Sequence, residues 1–313
     1  MVVDILKSLL ARPFYVGTFF AGLILLLLSY FRITDTTGFQ LSPYSTPIYG
    51  LLGVGLFLML FSVLLCVWME SDLRGWVHPV RIKRTAGGYQ VPIGPSRVNV
   101  AYGKIEDAEV LGPSNAVVLP ANEFFDDECI RDGRSALGAY MLKHFPGQIE
   151  DIQRLVKARL EDLPSKTVEK EKGALRQSYG VGTCVFLDAP LSSSHRIILA
   201  AVTEKRTGTG LKAEISFIYR VIGEVISVAV DRRLSDIHMP VIGSGHGGLR
   251  TEVALFSMVS ALSEVLCKPF GHRLNINIVV FRSDTESKPE VSPKALRRVL
   301  RVSAGMFRLD PCA

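Results

Sequence analysis

Cysteine is scarce in this chain, five residues in 313, and none forms a CxxC pair. That scarcity excludes a disulfide scaffold. With no Cys/His cluster of ligand spacing, no metal is expected either. Scattered thiols agree with a reducing compartment. Glycine and proline show no triplet period, which excludes collagen. No basic run is interleaved with aromatics, so nucleic acid is not an expected partner. Apolar residues are plentiful, at 48% of the chain, too many for a disordered one. The most telling absence is of charge: residues 36–69 contain no Asp, Glu, Lys, Arg or His.

That gap holds an apolar run over 47–69, and a second uncharged run covers 13–31. Each reaches the length of about 20 residues that a membrane helix needs. A signal peptide is the alternative for the first run, but no small-residue cleavage site follows it. The expectation is therefore a transmembrane hairpin over 1–70, with spans at about 13–31 and 47–69. Lys7 and Arg12 precede it, and Arg74, Arg81, Lys83 and Arg84 follow it. The loop between the spans has one Asp and no Lys, with Arg32 at its edge. The positive-inside rule then places both termini of this multi-pass hairpin in the cytoplasm, with a short loop outside. Gly53 and Gly55 could allow close helix packing. The first 69 residues carry a net charge of +1, which leaves +5 for the remainder. Such an excess suits an anionic small ligand or the inner leaflet.

Residues 71–97 read as a juxtamembrane linker with a small hairpin at Gly87-Gly88. From 98 to 313 strand and helix signals alternate, which indicates an α/β fold. Strands are expected at Val98–Ala101, Ala116–Leu119, Thr183–Leu187, Arg196–Val202, Ile237–Ile242 and Leu274–Phe281. Helices are expected within Phe145–Leu163, Lys212–Arg233 and Thr251–Leu266, and over Pro293–Val302 with Ser292 as N-cap.

Two stretches carry chemistry. Gly243-Ser244-Gly245-His246-Gly247-Gly248-Leu249-Arg250 lies between a strand and a helix. Its glycines let the backbone approach an anion, and its N–H groups can point at phosphate oxygens. The helix that follows adds a positive dipole end. The plain alternative is a tight turn with no ligand. A dinucleotide fingerprint fits poorly, because only 65 residues follow Gly248 and such a motif opens its domain. The second stretch is Pro120-Ala121-Asn122, where a buried strand ends in a polar turn. Asn122 either offers its amide to a ligand or simply forms the turn. His246 could meet a phosphate or stand in solvent. Arg131 and Arg134 could neutralise a diphosphate or cover a solvated helix face. Arg297, Arg298 and Arg301 read as solvated or oligomeric surface.

In this order the two stretches resemble the macro domain, an ADP-ribose-binding family. The resemblance implies a three-layer α/β/α sandwich with a mixed sheet. It implies Asn122 near the distal ribose, and Gly243, Ser244, Gly245, His246, Gly247, Gly248, Leu249 and Arg250 around the phosphates, with Pro120 and Ala121 beside them. The family's catalytic glycine loop after the Asn is replaced here by Phe124-Phe125-Asp126-Asp127-Glu128. Its adenine-contacting Asp is replaced by Lys104, within Gly103-Lys104-Ile105. No catalytic residue is therefore expected, and no cofactor beyond an ADP-ribose-like nucleotide. Two membrane helices before such a domain resemble the membrane-anchored effectors of bacterial Thoeris anti-phage defence. That implies a TIR-domain, NAD-consuming partner that makes an ADP-ribose conjugate, for example one bearing histidine. It also implies a bacterial inner-membrane location, self-association and membrane disruption. The alternative is a membrane-tethered ADP-ribosyl hydrolase with Asp126 or Asp127 as general base.

Overall fold

The computed structural model describes residues 13–35, 40–43, 49–76, 82–85, 87–108, 110, 112–126, 130–171, 174–206, 210–268, 273–283 and 290–304. The chain divides into two compact units, Met1–His78 and Pro79–Ala313.

In the first unit, helix α1 (Pro13–Tyr30) leads into an antiparallel pair, β1 (Phe31–Asp35) and β2 (Gln40–Pro43), and then helix α2 (Tyr49–Trp76). The expected loop between the helices is thus partly a β-hairpin. The helices meet where side chains are missing. A Cβ on Gly22 would stand 2.8 Å from the Gly55 carbonyl oxygen, and one on Gly55 would stand as close to that of Gly22. Gly53 has nothing near it. Ser62 Oγ donates to Thr18 Oγ1 across the same seam at 2.8 Å.

The membrane placement needs correction. Among the described residues no helix is long and apolar enough to cross a membrane. The expected multi-pass inner-membrane location, with both termini cytoplasmic, is therefore set aside. The flanking Lys7, Arg12 and Arg81 lie outside the described residues.

The second unit is built on one sheet. Its strands are β3 (Lys83–Arg84), β4 (Gly88–Ile93), β5 (Ser96–Gly103), β6 (Asn115–Asn122), β9 (Cys184–Asp188), β10 (Arg196–Arg206), β11 (Gly210–Lys212), β12 (Asp236–Pro240) and β13 (Asn275–Phe281). The order is β11-β10-β6-β12-β13-β5-β4-β3, with β9 also on β10. The inner five, β10 to β5, are parallel, and β3, β4, β9 and β11 pair antiparallel. The sheet is therefore mixed. Strands β7 (Lys166–Glu171) and β8 (Ala174–Ser178) form a separate hairpin.

Alternation along the inner strands divides the core. Ala116 and Val118 of β6 pack in one apolar cluster, and Val117 and Leu119 in another. The first is closed by α5 (Ile215–Asp231), α6 (Thr251–Leu266) and α7 (Pro293–Ser303), the second by α3 (Ala136–His144) and α4 (Ile149–Leu160). Helices thus lie on both faces of the sheet. In α5, Ile218, Val221, Ile222, Val225, Ile226 and Ala229 are buried, the spacing of a helix with one wide apolar stripe. Ser292 caps α7, its side chain accepting from Ala295 N, with Pro293 at the first helical position.

The segment expected as a linker contributes strands instead. Val91 and Ile93 of β4 are buried in the first cluster, with Tyr89 packed against it. The Gly87-Gly88 hairpin forms, with Thr85 N donating to Gly88 O at 3.0 Å.

Candidate functional site

Parallel strands leave a cleft beyond their carboxyl ends, where successive connections diverge. Here the ends of β5, β6, β12 and β13 and the outer part of β10 open on a cavity of about 380 Å³. That size suits a nucleotide-scale ligand.

The glycine-rich loop forms one wall. Gly243 has φ +86° and Gly248 φ +75°, a backbone region that side chains disfavour. Leu249 N closes back on Gly243 O at 3.1 Å, and Gly248 N on Gly245 O at 3.1 Å. Ala213 N donates to Gly247 O from outside at 3.0 Å. Among the described residues, the N–H groups of Gly243, Ser244, Gly245, His246 and Gly247 have no protein acceptor. Gly243 and Gly247 are nevertheless buried. A run of such donors is an anion-binding concavity. Thr251, at the start of α6, also lines the cleft, so the positive end of that helix adds to it.

The other wall is the start of α3. Ser135 caps it, its hydroxyl accepting from Gly138 N at 2.9 Å. Gly133, Arg134, Ser135 and Ala136 all line the cleft. Two helix N-termini and the glycine loop therefore converge on one cavity, an arrangement that favours negative charge.

Of the expected residues, Pro120, Ala121, Asn122, Gly243, Ser244, Gly245, His246 and Gly247 line this cavity. Gly248, Leu249 and Arg250 stand outside the lining. Leu249 packs by Gly243, where an added Cβ would stand 3.2 Å from its Cδ1. Arg250 is exposed and paired with Glu252 at 3.2 Å. Of the two arginines after the first turn, Arg131 pairs with Glu150 at 2.6 Å, while Arg134 faces the cleft.

Asn122 is buried and already employed. Its Oδ1 accepts from Phe124 N at 3.0 Å, and its Nδ2 donates to Asp126 Oδ1 at 3.1 Å. The strand pairing also shifts here, between Ala201 and Thr203 of β10, so that Thr203 faces Asn122. Asp126 forms an ion pair with Lys170 of β7 at 2.7 Å and is absent from the lining. Asp127 lies outside the described residues. Glu123 ties the next turn down: it accepts from Ser178 Oγ and from Lys205 N.

Sequence reasoning named Arg134, and Gly103 and Ile105 around a replaced adenine contact, but missed the rest of the α3 start. It also missed Glu106, Val279, the half-exposed Phe281 and Glu290, which line the cleft as well. Glu290 accepts from Thr251 Oγ1 at 2.7 Å. At the rim, Asp132 pairs with Arg134 and stands 3.3 Å from His246 Nε2. The Arg134 guanidinium, then its backbone N–H, holds the Asp132 carboxyl down at about 2.

Residues 98–280 match the family model described as the macro domain of Thoeris protein ThsA. No curated protein matches the chain. Among solved structures, the chain is similar to the Oceanobacillus iheyensis macrodomain with MES bound, at 14% identity, 68% coverage of this chain, 95% of that one and a TM-score of 0.48. The Trypanosoma brucei macrodomain in complex with ADP-ribose shares 11% identity, covering 66% of this chain and 69% of that one, with a TM-score of 0.43. The Thermus aquaticus DarG macrodomain shares 15%, covering 58% and 97%, with a TM-score of 0.38.

Proposed function

The chain belongs to the ThsA macro-domain family of Thoeris proteins, and from that premise we propose that its cleft is a sensor for an ADP-ribose-derived nucleotide. The observation that carries this reading is the run of N–H groups from Gly243 to Gly247 without protein acceptors, beside the N-termini of α3 and α6. The diphosphate would take those donors. The adenosine and distal ribose would occupy the two ends of the cleft, with Asn122 beside a ribose. Pro120 and Ala121 would form the floor.

A TIR-domain, NAD-consuming enzyme would make the signal, and a group attached to the ADP-ribose, such as histidine, would be accommodated near His246. Binding would favour one assembly state over another. Equal affinity for both states shifts nothing, so the occupied cleft has to stabilise the self-associated form.

A sensor is favoured over an ADP-ribosyl hydrolase by the state of Asp126. That carboxylate is engaged by Lys170 and Asn122, and a general base needs reach to a water beside the substrate. The full chain incubated with ADP-ribose should retain it intact, as read by native mass spectrometry. It should also leave the label on an ADP-ribosylated protein. Release of that label at a rate dependent on Asp126 would establish the hydrolase.

A further inference from the structure

The cleft reads as a site for anions, yet its arginine is already taken. Among the described lining residues, Arg134 carries the cationic side chain and His246 an imidazole. They come from opposite walls and meet on one carboxylate. Arg134 Nε donates to Asp132 Oδ1 at 3.0 Å, its Nη2 to Oδ2 at 3.3 Å, and its backbone N to Oδ1 at 3.0 Å. His246 Nε2 stands 3.3 Å from Oδ2. Asp132 is not itself part of the lining.

The backbone that carries this carboxylate is held in place. Ser135 N and Ser135 Oγ both donate to Asp132 O at 2.9 Å. Gly138 lies so close that an added Cβ would stand 2.1 Å from the same oxygen. Asp132 therefore presents its negative charge from an anchored backbone, to the two groups a phosphate would take. Glu106 and Glu290 also line the cleft, and Glu290 is engaged by Thr251 Oγ1 at 2.7 Å.

We propose that Asp132 is a specificity determinant of the cleft: an internal anion, paired with Arg134 and beside His246, that an incoming ligand must displace. This rests on the ADP-ribose reading above. A ligand with one negative charge only exchanges places with the carboxylate. A diphosphate brings two, and the second gains the glycine loop as well. The unliganded protein is thereby closed to abundant single-charge anions and opens to a diphosphate. Removing the carboxylate leaves Arg134 without its anionic partner.

The test is calorimetric titration of the full chain and of Asp132→Asn. Three probes are used: ADP-ribose, singly charged cyclic AMP, and uncharged adenosine. The asparagine keeps an oxygen for Arg134 N, and Asp132→Ser serves as a second variant. Loss of the charge should tighten ADP-ribose by about tenfold, or ~1.4 kcal/mol, and bring cyclic AMP into the measurable range. Adenosine should be unchanged. The gain should shrink in Asp132→Asn/Arg134→Gln, because the freed cation is then absent. Equal or weaker ADP-ribose binding by Asp132→Asn overturns the proposal and makes Asp132 a positioning group for Arg134. No binding of ADP-ribose by any of the folded proteins overturns the ligand reading and this inference with it.

Discussion

Gly247 is pressed against Ala213. Ala213 N donates to Gly247 O at 3.0 Å, and a Cβ on Gly247 would stand 2.6 Å from Ala213 Cβ and 2.7 Å from Gly243 O. The loop is thus anchored to the start of the segment leading into α5, and its curvature depends on the missing side chain. Gly247→Val should destabilise the chain by about 1–3 kcal/mol, the range for an overpacked site, and abolish ligand binding. Gly245, by contrast, has open space around it, and Gly245→Ala should leave the urea midpoint almost unmoved. The pair is read by urea denaturation and by titration with ADP-ribose. A Gly247→Val protein as stable as the parent would contradict the packing described.

Lys170 is a nearly buried cation whose described anionic partner is Asp126, and Asp126 receives the Asn122 amide. Removing the cation leaves the carboxylate without its counter-charge in a half-covered turn. Lys170→Met should cost about 2–3 kcal/mol, somewhat under the 3–5 of a fully buried pair, as a lower urea midpoint at unchanged slope. Asn122 should also lose its fixed orientation, so ADP-ribose affinity should fall with stability. An exposed lysine such as Lys157 should show neither effect when changed to Met.

Two histidines sit below their ordinary imidazole range in the folded chain. Burial lowers His195, with His144 adding to it, and burial lowers His238 against the opposing pull of Asp236. The unfolded chain therefore takes up their protons first. Their contribution is complete above the ordinary value of about 6.5 and is lost as pH falls from there through the folded-state values. The thermal midpoint should decline below that point. The decline should be shallower in His195→Gln/His238→Gln. An identical pH profile in that variant would contradict the assignment.

Ser292→Ala removes the hydroxyl that accepts from Ala295 N. The expected cost is about 1 kcal/mol, typical of a lost N-cap. Hydrogen exchange should rise in the first turn of α7 and not in α6.

Much of this fold was legible in the sequence, because its inner elements announce themselves by burial. The helix expected at Thr251–Leu266 has those bounds, and the strands around Val118, Ile198, Ile237 and Ile278 fall where their apolar runs lie. The β7–β8 hairpin gave no such signal, since most of its residues face solvent and alternation needs one covered face. Helix α3 was missed because it is only nine residues long. Its signal was present in Ser135 followed by Leu137, Tyr140 and Met141. The glycine loop was legible from its composition alone. The lining around Phe281 was not. Phe281, Glu106 and Glu290 come together only through the pairing of β13 with β5 and the contact between Thr251 and Glu290, which no local pattern encodes.

The proposed role of the Gly243–Gly247 cradle is to hold the diphosphate of an ADP-ribose-type ligand. Its most direct measurement is calorimetric titration of the full chain and of Gly245→Glu with ADP-ribose. Gly245 has room for a side chain, so the variant should fold with an unchanged thermal midpoint while placing a carboxylate among the phosphate donors. One ligand per parent chain, and no heat of binding with Gly245→Glu, is the predicted result. A folded parent that gives no binding, or a variant that binds as well as the parent, would contradict it.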